Sequence, residues 1–326
     1  MAELRYNPLL DDWTMVSGSR NKRPDMPKDW CPFCPGSKKV PENYRVYIYD
    51  NDFPVLKINP QKPDQVGSDF YKTVPSYGKC DVILYSPDHN ASIWQLPIDH
   101  IEELVNLWID RYNFLRKDQK IKYIMPFENR GKEVGVTMPH PHGQIYAYSK
   151  IPLRIRTELE NGRKYYYKTG ENLFNKIRKE EIDFKDRIVY ENNHFIAFIP
   201  FFSEYPYGVY IFPKSDIFSF SDFNKDIIFS FSDIIKQTTG AFDHLFNKKF
   251  PYMMCIYNSP VNCDKYKDVE NYYLFHVKFF PPLRSENSIK WNASSETGAW
   301  AAGNPRKAEE CAVELRQAYV KFLNKQ

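Results

Sequence analysis

The most constraining feature of the sequence is one order of strands and a long helix that occurs twice. In the first half, alternating segments such as "CDVILYS" precede the stretch 98–117, where apolar residues recur three and four apart. Two more strand-like segments follow, "IKYIMPFEN" and "HGQIYAYS". The second half repeats this order around a helical stretch at 222–246. The chain is therefore predicted to be a duplicated α+β unit, with its boundary within 152–187.

Charge and hydropathy exclude several classes of function. The 326 residues carry a net charge of +4 and no block of five or more like charges. This gives no electrostatic case for binding duplex nucleic acid or an anionic membrane. No apolar run approaches the roughly 18 residues of a spanning helix, and the N-terminus lacks the apolar segment of a signal peptide. A cytoplasmic location is predicted, with no nucleic-acid or membrane partner.

The segment "WCPFCPG" places Cys31 and Cys34 with two residues between them. This spacing lets both thiolates reach one metal ion from a tight turn. Zinc would need two further ligands, for which histidine is the natural source. A redox pair and two unrelated thiols are the alternatives, although a redox pair normally lies between a strand and a helix.

The segment "HPHGQ" carries His140 and His142, and residues two apart on a strand share a face. Pro141 lacks a backbone donor, which favours an edge or irregular strand. The pair is either two metal ligands, a metal ligand beside a nucleophile, or two packed histidines. A neutral histidine attacks phosphorus when a carbonyl accepts its Nδ1–H and fixes the tautomer. Gln144 would then donate to a phosphoryl oxygen, where charge builds in the transition state.

The first 40 residues are rich in proline, glycine and charge, and they are predicted to form an extended arm with turns. Within it, Arg20 and Arg23 are three residues apart. Arginine suits bidentate contact with phosphate, so this pair is a candidate phosphate clamp. A solvated basic arm is the alternative.

Six stretches of the chain, in order, resemble galactose-1-phosphate uridylyltransferase, in the nucleotidyl-transferring branch of the histidine-triad superfamily. They are "RYNPLLDDWTMVSGSRNKRP", "CPFCPG", "NDFPVL", "YSPDH", "FENRGKEVGVTMPHPHGQ" and "FFPPLRS". The resemblance implies an α+β fold with a duplicated histidine-triad-like unit, as two antiparallel sheets flanked by helices. Residues 1–165 would form the half with the zinc site and "HPHGQ", and residues 166–326 a degenerate half.

The resemblance also implies roles for individual residues. His142 would be the nucleophile, and Gln144 and Thr137 would hold phosphoryl oxygens. The residues matching the family's phosphate and nucleotide contacts are Arg20, Arg23, Asn51, Asp52 and Asn129. Those matching its zinc ligands are Cys31, Cys34, His89 and His140, which supplies the two ligands that the cysteine pair lacked.

The implied activity is that of a UDP-glucose:hexose-1-phosphate uridylyltransferase. The reaction would be ping-pong, with a uridylyl group carried on His142 between the two sugar phosphates. A homodimer with a shared active site is expected from the family. Two alternatives stay open: a nucleotide-sugar phosphorylase similar to the ADP-glucose phosphorylases, and a non-catalytic nucleotide-binding or zinc-stabilised scaffold protein.

The match to the family is weaker in the second half. Some members bind iron through one Glu and three His; here Glu158 and His276 match, but Tyr257 and Lys278 replace two histidines. No iron is therefore predicted, and Lys278 would supply the positive charge of the metal. When the two halves are aligned on their repeated order of elements, His276 corresponds to His140, and Lys278 corresponds to His142.

The segment that contacts sugar in the family is also altered. Lys290 and Glu296 fit the family pattern. At its aromatic and glycine positions, however, the sequence has Asn292, Ser294 and Ser295. The resemblance therefore does not specify the hexose.

Overall fold

The computed structural model describes residues 2–18 and 30–325. Its strands are β1 (Ala2–Asn7), β2 (Asp12–Ser17), β3 (Tyr47–Asp50), β4 (Thr73–Pro75), β5 (Gly78–Leu84), β6 (Tyr123–Arg130), β7 (His142–Tyr148), β8 (Ile188–Glu191), β9 (Phe195–Phe198), β10 (Tyr210–Pro213), β11 (Tyr252–Tyr257), β12 (His276–Phe280), β13 (Leu283–Ser285) and β14 (Ser288–Ile289). Its helices are α1 (Ile98–Leu115), α2 (Leu153–Thr169), α3 (Leu173–Phe184), α4 (Lys225–Leu245), α5 (Ser294–Gly298) and α6 (Ala308–Leu323).

A nine-stranded antiparallel sheet organises the molecule, in the order β3-β5-β7-β6-β11-β12-β10-β9-β8. The duplicated α+β fold is confirmed, since each half supplies one side of this sheet. The predicted two sheets are joined edge to edge, because β6 pairs with β11 and sets Phe127 opposite Cys255. This pairing satisfies backbone groups that two separate sheets would leave at exposed edges.

One face of the sheet is covered by α1, α4 and α6, which form the main core with inward residues of both halves. The predicted helix at 98–117 is confirmed as α1, and its stripe of buried side chains includes Leu104, Trp108 and Tyr112. They pack against strand residues such as Ile145 and Val277. Each large apolar side chain buried in this way contributes about 1.5–3 kcal/mol to stability.

The opposite face is covered differently in the two halves. In the second half, α2 and α3 lie over the sheet, with Leu159 and Phe174 packed against residues of β10 and β11. In the first half, the cover consists of the small sheet β2-β1-β4 and the segment 31–49. On this face the first-half strands are thus covered by a small sheet and an irregular segment, and the second-half strands by helices.

One prediction about local structure needs correction, and the predicted boundary between the halves stays untested. Part of the predicted N-terminal arm is a hairpin, in which β1 pairs with β2 from Ala2 opposite Ser17 to Asn7 opposite Asp12. The predicted boundary region holds α2 and α3, and α2 runs through residue 165, so the division there stays a prediction. Among the described residues, no helix has the length and apolarity needed to cross a membrane.

Candidate active site and metal centre

The "HPHGQ" segment enters the sheet at His142, the first residue of β7. In the antiparallel pairing, His142 lies opposite Leu84 of β5 and Gln144 lies opposite Phe127 of β6. Between them, a Cβ on Gly143 would lie 2.0 Å from Tyr85 Oη. Only glycine lets the strand approach this tyrosine so closely, which explains why glycine follows the histidine.

The imidazole of His142 is held by the backbone of its own segment. Its Nδ1 lies 2.7 Å from the carbonyl oxygen of His140. A carbonyl can only accept a hydrogen bond, so Nδ1 carries the proton and Nε2 carries the lone pair. This is the tautomer that nucleophilic attack on phosphorus requires.

Four side chains converge beside this segment: Cys31, Cys34, His89 and His140. Their ligand atoms all lie within 4.8 Å of one another. Cys34 Sγ is 3.4 Å from His89 Nδ1 and 3.6 Å from His140 Nδ1. Tetrahedral zinc, with bonds of about 2.3 Å to sulfur and about 2.0–2.1 Å to nitrogen, separates these atoms by roughly 3.6 Å. The residues fit a closed metal site of two thiolates and two imidazoles.

Hydrogen bonds around the cluster orient His140. Its Nε2 donates to the carbonyl of Ser86 (2.8 Å), so Nδ1 is the nitrogen that faces the cysteines. Tyr44 Oη lies 3.1 Å from the same Nε2 and donates to the carbonyl of Phe33 (2.6 Å). Such outer contacts fix the tautomer of a ligating histidine. Burial lowers the pKa of His140 to about 4, so its imidazole is neutral at pH 7.

A cavity of about 210 Å³ adjoins His142. Its walls include His142, Asn129 and two cationic side chains, Lys132 and Lys249. Glu128 also lines it and accepts from Tyr252 Oη at 3.3 Å through both carboxylate oxygens. Burial raises the pKa of Glu128 to about 7. Of the predicted substrate residues that the structure describes, Asn129 is thus the one that lines this cavity with His142.

The other predicted nucleotide and phosphate residues are near the site to different degrees. Asp52 accepts from Tyr49 Oη (2.9 Å), and the Tyr49 ring packs on Phe33, which also contacts His142. Asn51 accepts from the backbone of Phe53 in a local turn. Thr137 is exposed in the loop before "HPHGQ". Arg20 and Arg23 lie outside the described residues.

Lys290 and Glu296 form a separate pair in the segment after β14. Lys290 Nζ lies 3.6 Å from Glu296 Oε1 and 3.1 Å from Asn292 Oδ1. The ammonium also lies 5.2 Å from the centre of the Tyr205 ring. The two side chains are therefore adjacent, and Asn292 lies beside Lys290; their predicted contact with sugar stays a prediction.

The second half has a histidine in the position of His142. His276 begins β12 as His142 begins β7, and its Nδ1 also donates to the carbonyl two residues earlier (2.8 Å). The sequence register placed His276 opposite His140, but this shared contact aligns it with His142. Lys278, two residues later, then takes the position of Gln144.

The surroundings of His276 do not fit an iron site. Lys278 Nζ donates to Glu158 Oε1 at 2.5 Å and lies 4.7 Å from the ring centre of Tyr257. Burial alone would raise the pKa of Glu158, but Lys278 and His276 hold it well below the usual range. The carboxylate that would bind the metal thus binds an ammonium. His276 itself stacks on Tyr257, with ring centres 4.6 Å apart.

Sequence reasoning missed two residues that contact His140, and one of them also contacts His142. Phe33 lies between the two cysteines and packs edge-on against His140 (5.9 Å) and His142 (5.7 Å). Its position inside the "CPFC" motif was the signal available. Tyr44 gives no such signal, because nothing in the sequence near it marks it as a partner of His140.

Comparisons with known proteins agree with this geometry. Residues 1–152 match the family described as galactose-1-phosphate uridyl transferase, N-terminal domain, and residues 158–293 match its C-terminal domain. A galactose-1-phosphate uridylyltransferase from Thermotoga maritima is 40% identical, over 99% of this chain and 100% of the relative. A solved uridylyltransferase structure superposes with a TM-score of 0.89 at 28% identity, over 98% and 99% of the two chains.

A second solved structure shows the same fold at lower identity. An ADP-glucose phosphorylase from Arabidopsis thaliana superposes with a TM-score of 0.74 at 23% identity, over 97% of this chain and 99% of that chain. At this identity the likeness concerns the fold alone. The full-length matches to uridylyltransferases carry the assignment: the chain belongs to the galactose-1-phosphate uridylyltransferase family.

Proposed function

We propose that this chain transfers a uridylyl group between UDP-glucose and a hexose 1-phosphate through a covalent intermediate on His142. The observation that carries the proposal is the 2.7 Å contact from His142 Nδ1 to the carbonyl of His140, which selects the nucleophilic tautomer. Family membership supports the reaction class, and relatives such as the Thermotoga maritima protein are named for galactose 1-phosphate. Galactose 1-phosphate is therefore the proposed acceptor.

The first half-reaction needs no acid from the protein. The Nε2 lone pair of His142 attacks the α-phosphorus of UDP-glucose and forms an N–P bond. The bond from this phosphorus to the bridging oxygen breaks, and its electron pair leaves with glucose 1-phosphate. The proton stays on Nδ1, hydrogen-bonded to the carbonyl of His140. Because the leaving group is already a phosphate anion, catalysis depends on positioning and on donors to phosphoryl oxygens.

In the second half-reaction, a phosphate oxygen of galactose 1-phosphate attacks the same phosphorus. The N–P bond breaks, its electron pair returns to Nε2, and UDP-galactose leaves. Gln144 is the proposed donor to a phosphoryl oxygen, because it lies two residues from His142 on the same face of β7. Asn129 and Thr137 are proposed to complete the substrate contacts, with Asn51 and Asp52 near the nucleotide.

The metal is proposed to be zinc, held by Cys31, Cys34, His89 and His140. Four protein ligands make a closed structural site, in which zinc supplies rigidity and takes no part in the transfer. The carbonyl that holds His142 belongs to His140, so this ligand would also place the nucleophile. The predicted zinc, homodimer and cytoplasmic location stay predictions, as do the substrate roles of Arg20, Arg23, Lys290 and Glu296.

Product analysis tests the proposal and its alternatives. The protein is incubated with UDP-glucose or ADP-glucose, and with galactose 1-phosphate or inorganic phosphate as acceptor, and nucleotide products are separated by chromatography. The expected result is UDP-galactose and glucose 1-phosphate from UDP-glucose and galactose 1-phosphate, abolished in His142→Ala. Consumption of ADP-glucose with phosphate alone would instead identify a phosphorylase. Binding of UDP-glucose without turnover would indicate a non-catalytic protein.

A further inference from the structure

Residues 86–96, here called the His89 loop, lead from β5 towards α1 and carry one of the four clustered ligands. Most of the loop's own amide hydrogen bonds are short-range. Gln95 N donates to the carbonyl of Ser92 (2.9 Å), and Asn90 N donates to Asp88 Oδ1 (2.9 Å). Bonds of this kind shape the loop without fixing its position relative to the sheet.

Three charged residues of the second half bind the His89 loop. Lys236 of α4 donates to the carbonyls of Trp94 and Leu96, both at 2.6 Å. Asp243, two turns later on α4, accepts from Trp94 Nε1 at 2.7 Å. Lys249, which follows α4, donates to the carbonyl of Asn90, the residue next to His89, at 2.7 Å. Asn90, Trp94 and Leu96 of the loop are thus held by α4 and by the segment that follows it.

Asp243 is the centre of these contacts. Besides the bond from Trp94, its carboxylate accepts hydrogen bonds from both terminal nitrogens of Arg130 (2.8 and 2.7 Å) and from the backbone amide of Phe250 (2.9 Å). Arg130 also donates to Ser92 Oγ in the loop (2.9 Å). Charge-assisted bonds of this length are about twice as strong as neutral ones. Since Asp243 is buried, water does not replace a contact that is lost.

Aromatic packing adds a second hold on the same tryptophan. The Trp94 ring lies edge-on to His244 of α4 (5.1 Å) and to Phe322 of α6 (5.5 Å). Phe322 in turn packs tightly on α4, where a Cβ on Gly240 would lie 2.6 Å from its ring. The Trp94 side chain therefore packs against two helices of the second half, α4 and α6.

We propose that Lys236, Asp243 and Lys249 are positioning residues that hold the His89 loop where His89 reaches the metal shared with the other three ligands. This inference rests on the metal centre of the proposed function. The second half would thereby fix the position of His89, one ligand of the centre. Another ligand, His140, holds the proposed nucleophile His142 through its carbonyl oxygen.

Metal release and amide exchange test the inference in the full-length, zinc-loaded protein. The variants are Asp243→Asn, Lys236→Met and the milder Trp94→Phe, which keeps a ring and removes only the indole N–H. The matched control is Asp226→Asn, which changes an exposed carboxylate in the first turn of the same helix. Zinc transfer to a chromogenic chelator and hydrogen exchange of residues 86–96 are followed well below the unfolding temperature.

The three variants are expected to release zinc about tenfold faster than the wild type, the lower end of the effect of outer contacts on metal sites. Exchange should rise in residues 86–96, with the control unchanged in both. Release and loop exchange equal to those of Asp226→Asn would overturn the inference. If the wild type retains no zinc, the proposed metal centre fails, and loop exchange in Trp94→Phe then decides whether the second half positions this loop.

Discussion

His142 and His276 start equivalent strands in the two halves, and each donates Nδ1 to the carbonyl two residues earlier. Their surroundings differ completely. His142 is half-buried beside a cavity, whereas His276 is fully buried. Phe174 of α3 and Tyr257 of β11 lie against the His276 ring, at 5.2 and 4.6 Å. The same backbone arrangement is therefore present twice, but the His142 imidazole lies beside a cavity, whereas the covering elements enclose that of His276.

The two halves also differ in how their buried polar side chains are neutralised. In the first half, a cluster of two cysteines and two histidines meets the requirements of a metal ion. In the second half, the ammonium of Lys278 bonds to Glu158. A metal ion and an ammonium both supply the positive charge that a buried carboxylate or thiolate needs. Each half thus has a buried polar centre, but only the first combines it with access to His142.

The largest expected difference between the halves is catalytic. His142→Ala should lower kcat by roughly 10⁴- to 10⁶-fold, as loss of a covalent nucleophile does in other enzymes. His276→Gln should leave the rate constant of the transfer step unchanged, because no substrate reaches that ring. Single-turnover kinetics with UDP-glucose separate the two. A comparable loss in both variants would break the assignment of chemistry to the first half.

The metal centre should dominate the stability of the first half. Cys34→Ala removes a ligand, and loss of the ion should lower the free energy of unfolding by about 4 kcal/mol when free zinc is at a thousand times its Kd. Cys263→Ala, a half-buried thiol packed on the second-half core, is the control. Urea unfolding with and without a chelator gives the comparison. Chelator sensitivity that survives in Cys34→Ala would place the metal elsewhere.

The ion pair should dominate in the second half. Glu158→Gln leaves the ammonium of Lys278 buried without its counter-charge, which should cost about 3–5 kcal/mol at pH 7. The control is Glu160→Gln, which breaks an exposed pair with Lys265 and should cost at most about 1 kcal/mol. Equal unfolding free energies for the two variants would show that the buried pair does not stabilise this half.

The pH dependence of the pair follows from the lowered pKa of Glu158. The native state holds the carboxylate ionised at pH values where the unfolded chain is already protonated. The stabilisation is therefore complete above about pH 4.5 and is lost as pH falls towards the native pKa. The difference in unfolding free energy between wild type and Glu158→Gln should shrink between pH 5 and pH 3.

Glu128, the buried carboxyl of the first half, should show the opposite sign with a smaller effect. Its native pKa is raised to about 7 by burial, so its contribution to stability falls as pH rises from about 4.5 to 7. Glu128→Gln should stabilise the protein by about 1–3 kcal/mol at pH 8 and by nothing at pH 4. Urea titrations at both pH values test this. A variant that is destabilised at pH 8 would show that the carboxylate is needed ionised.

The contrast also explains which features could be predicted from the sequence. "CPFC" and "HPHGQ" are local patterns whose spacing makes Cys31, Cys34 and His140 candidate metal ligands, whereas His89 could be named only from the resemblance to the family. The cover over His276 was missed, because α2 buries only a narrow stripe including Ile155 and Leu159 among charged residues, and has Gly162 in its interior. Glycine there costs about 1 kcal/mol of helix propensity and weakens the pattern. It is needed because a Cβ would lie 2.4 Å from the carbonyl of Tyr272.

The pairing that joins the two halves could not be predicted from the sequence for another reason. The pairing of β6 with β11 joins residues more than a hundred positions apart, and neither strand's own pattern names its partner. The contacts that hold the His89 loop were missed for the same reason. Lys236 and Asp243 lie on one predicted amphipathic helix, and nothing near them in the sequence indicates their hydrogen-bond partners in the loop. Long-range partners of this kind follow from packing, which the periodicity of a single segment does not encode.

We expect the first half alone to carry the covalent intermediate, on His142. Mass spectrometry after one turnover with UDP-glucose, without acceptor, tests it most directly. We expect one uridylyl group per chain, labile to acid, on the peptide that contains His142, and its removal as UDP-galactose when galactose 1-phosphate is added. Turnover with no adduct, or an adduct on any other residue, would contradict the account.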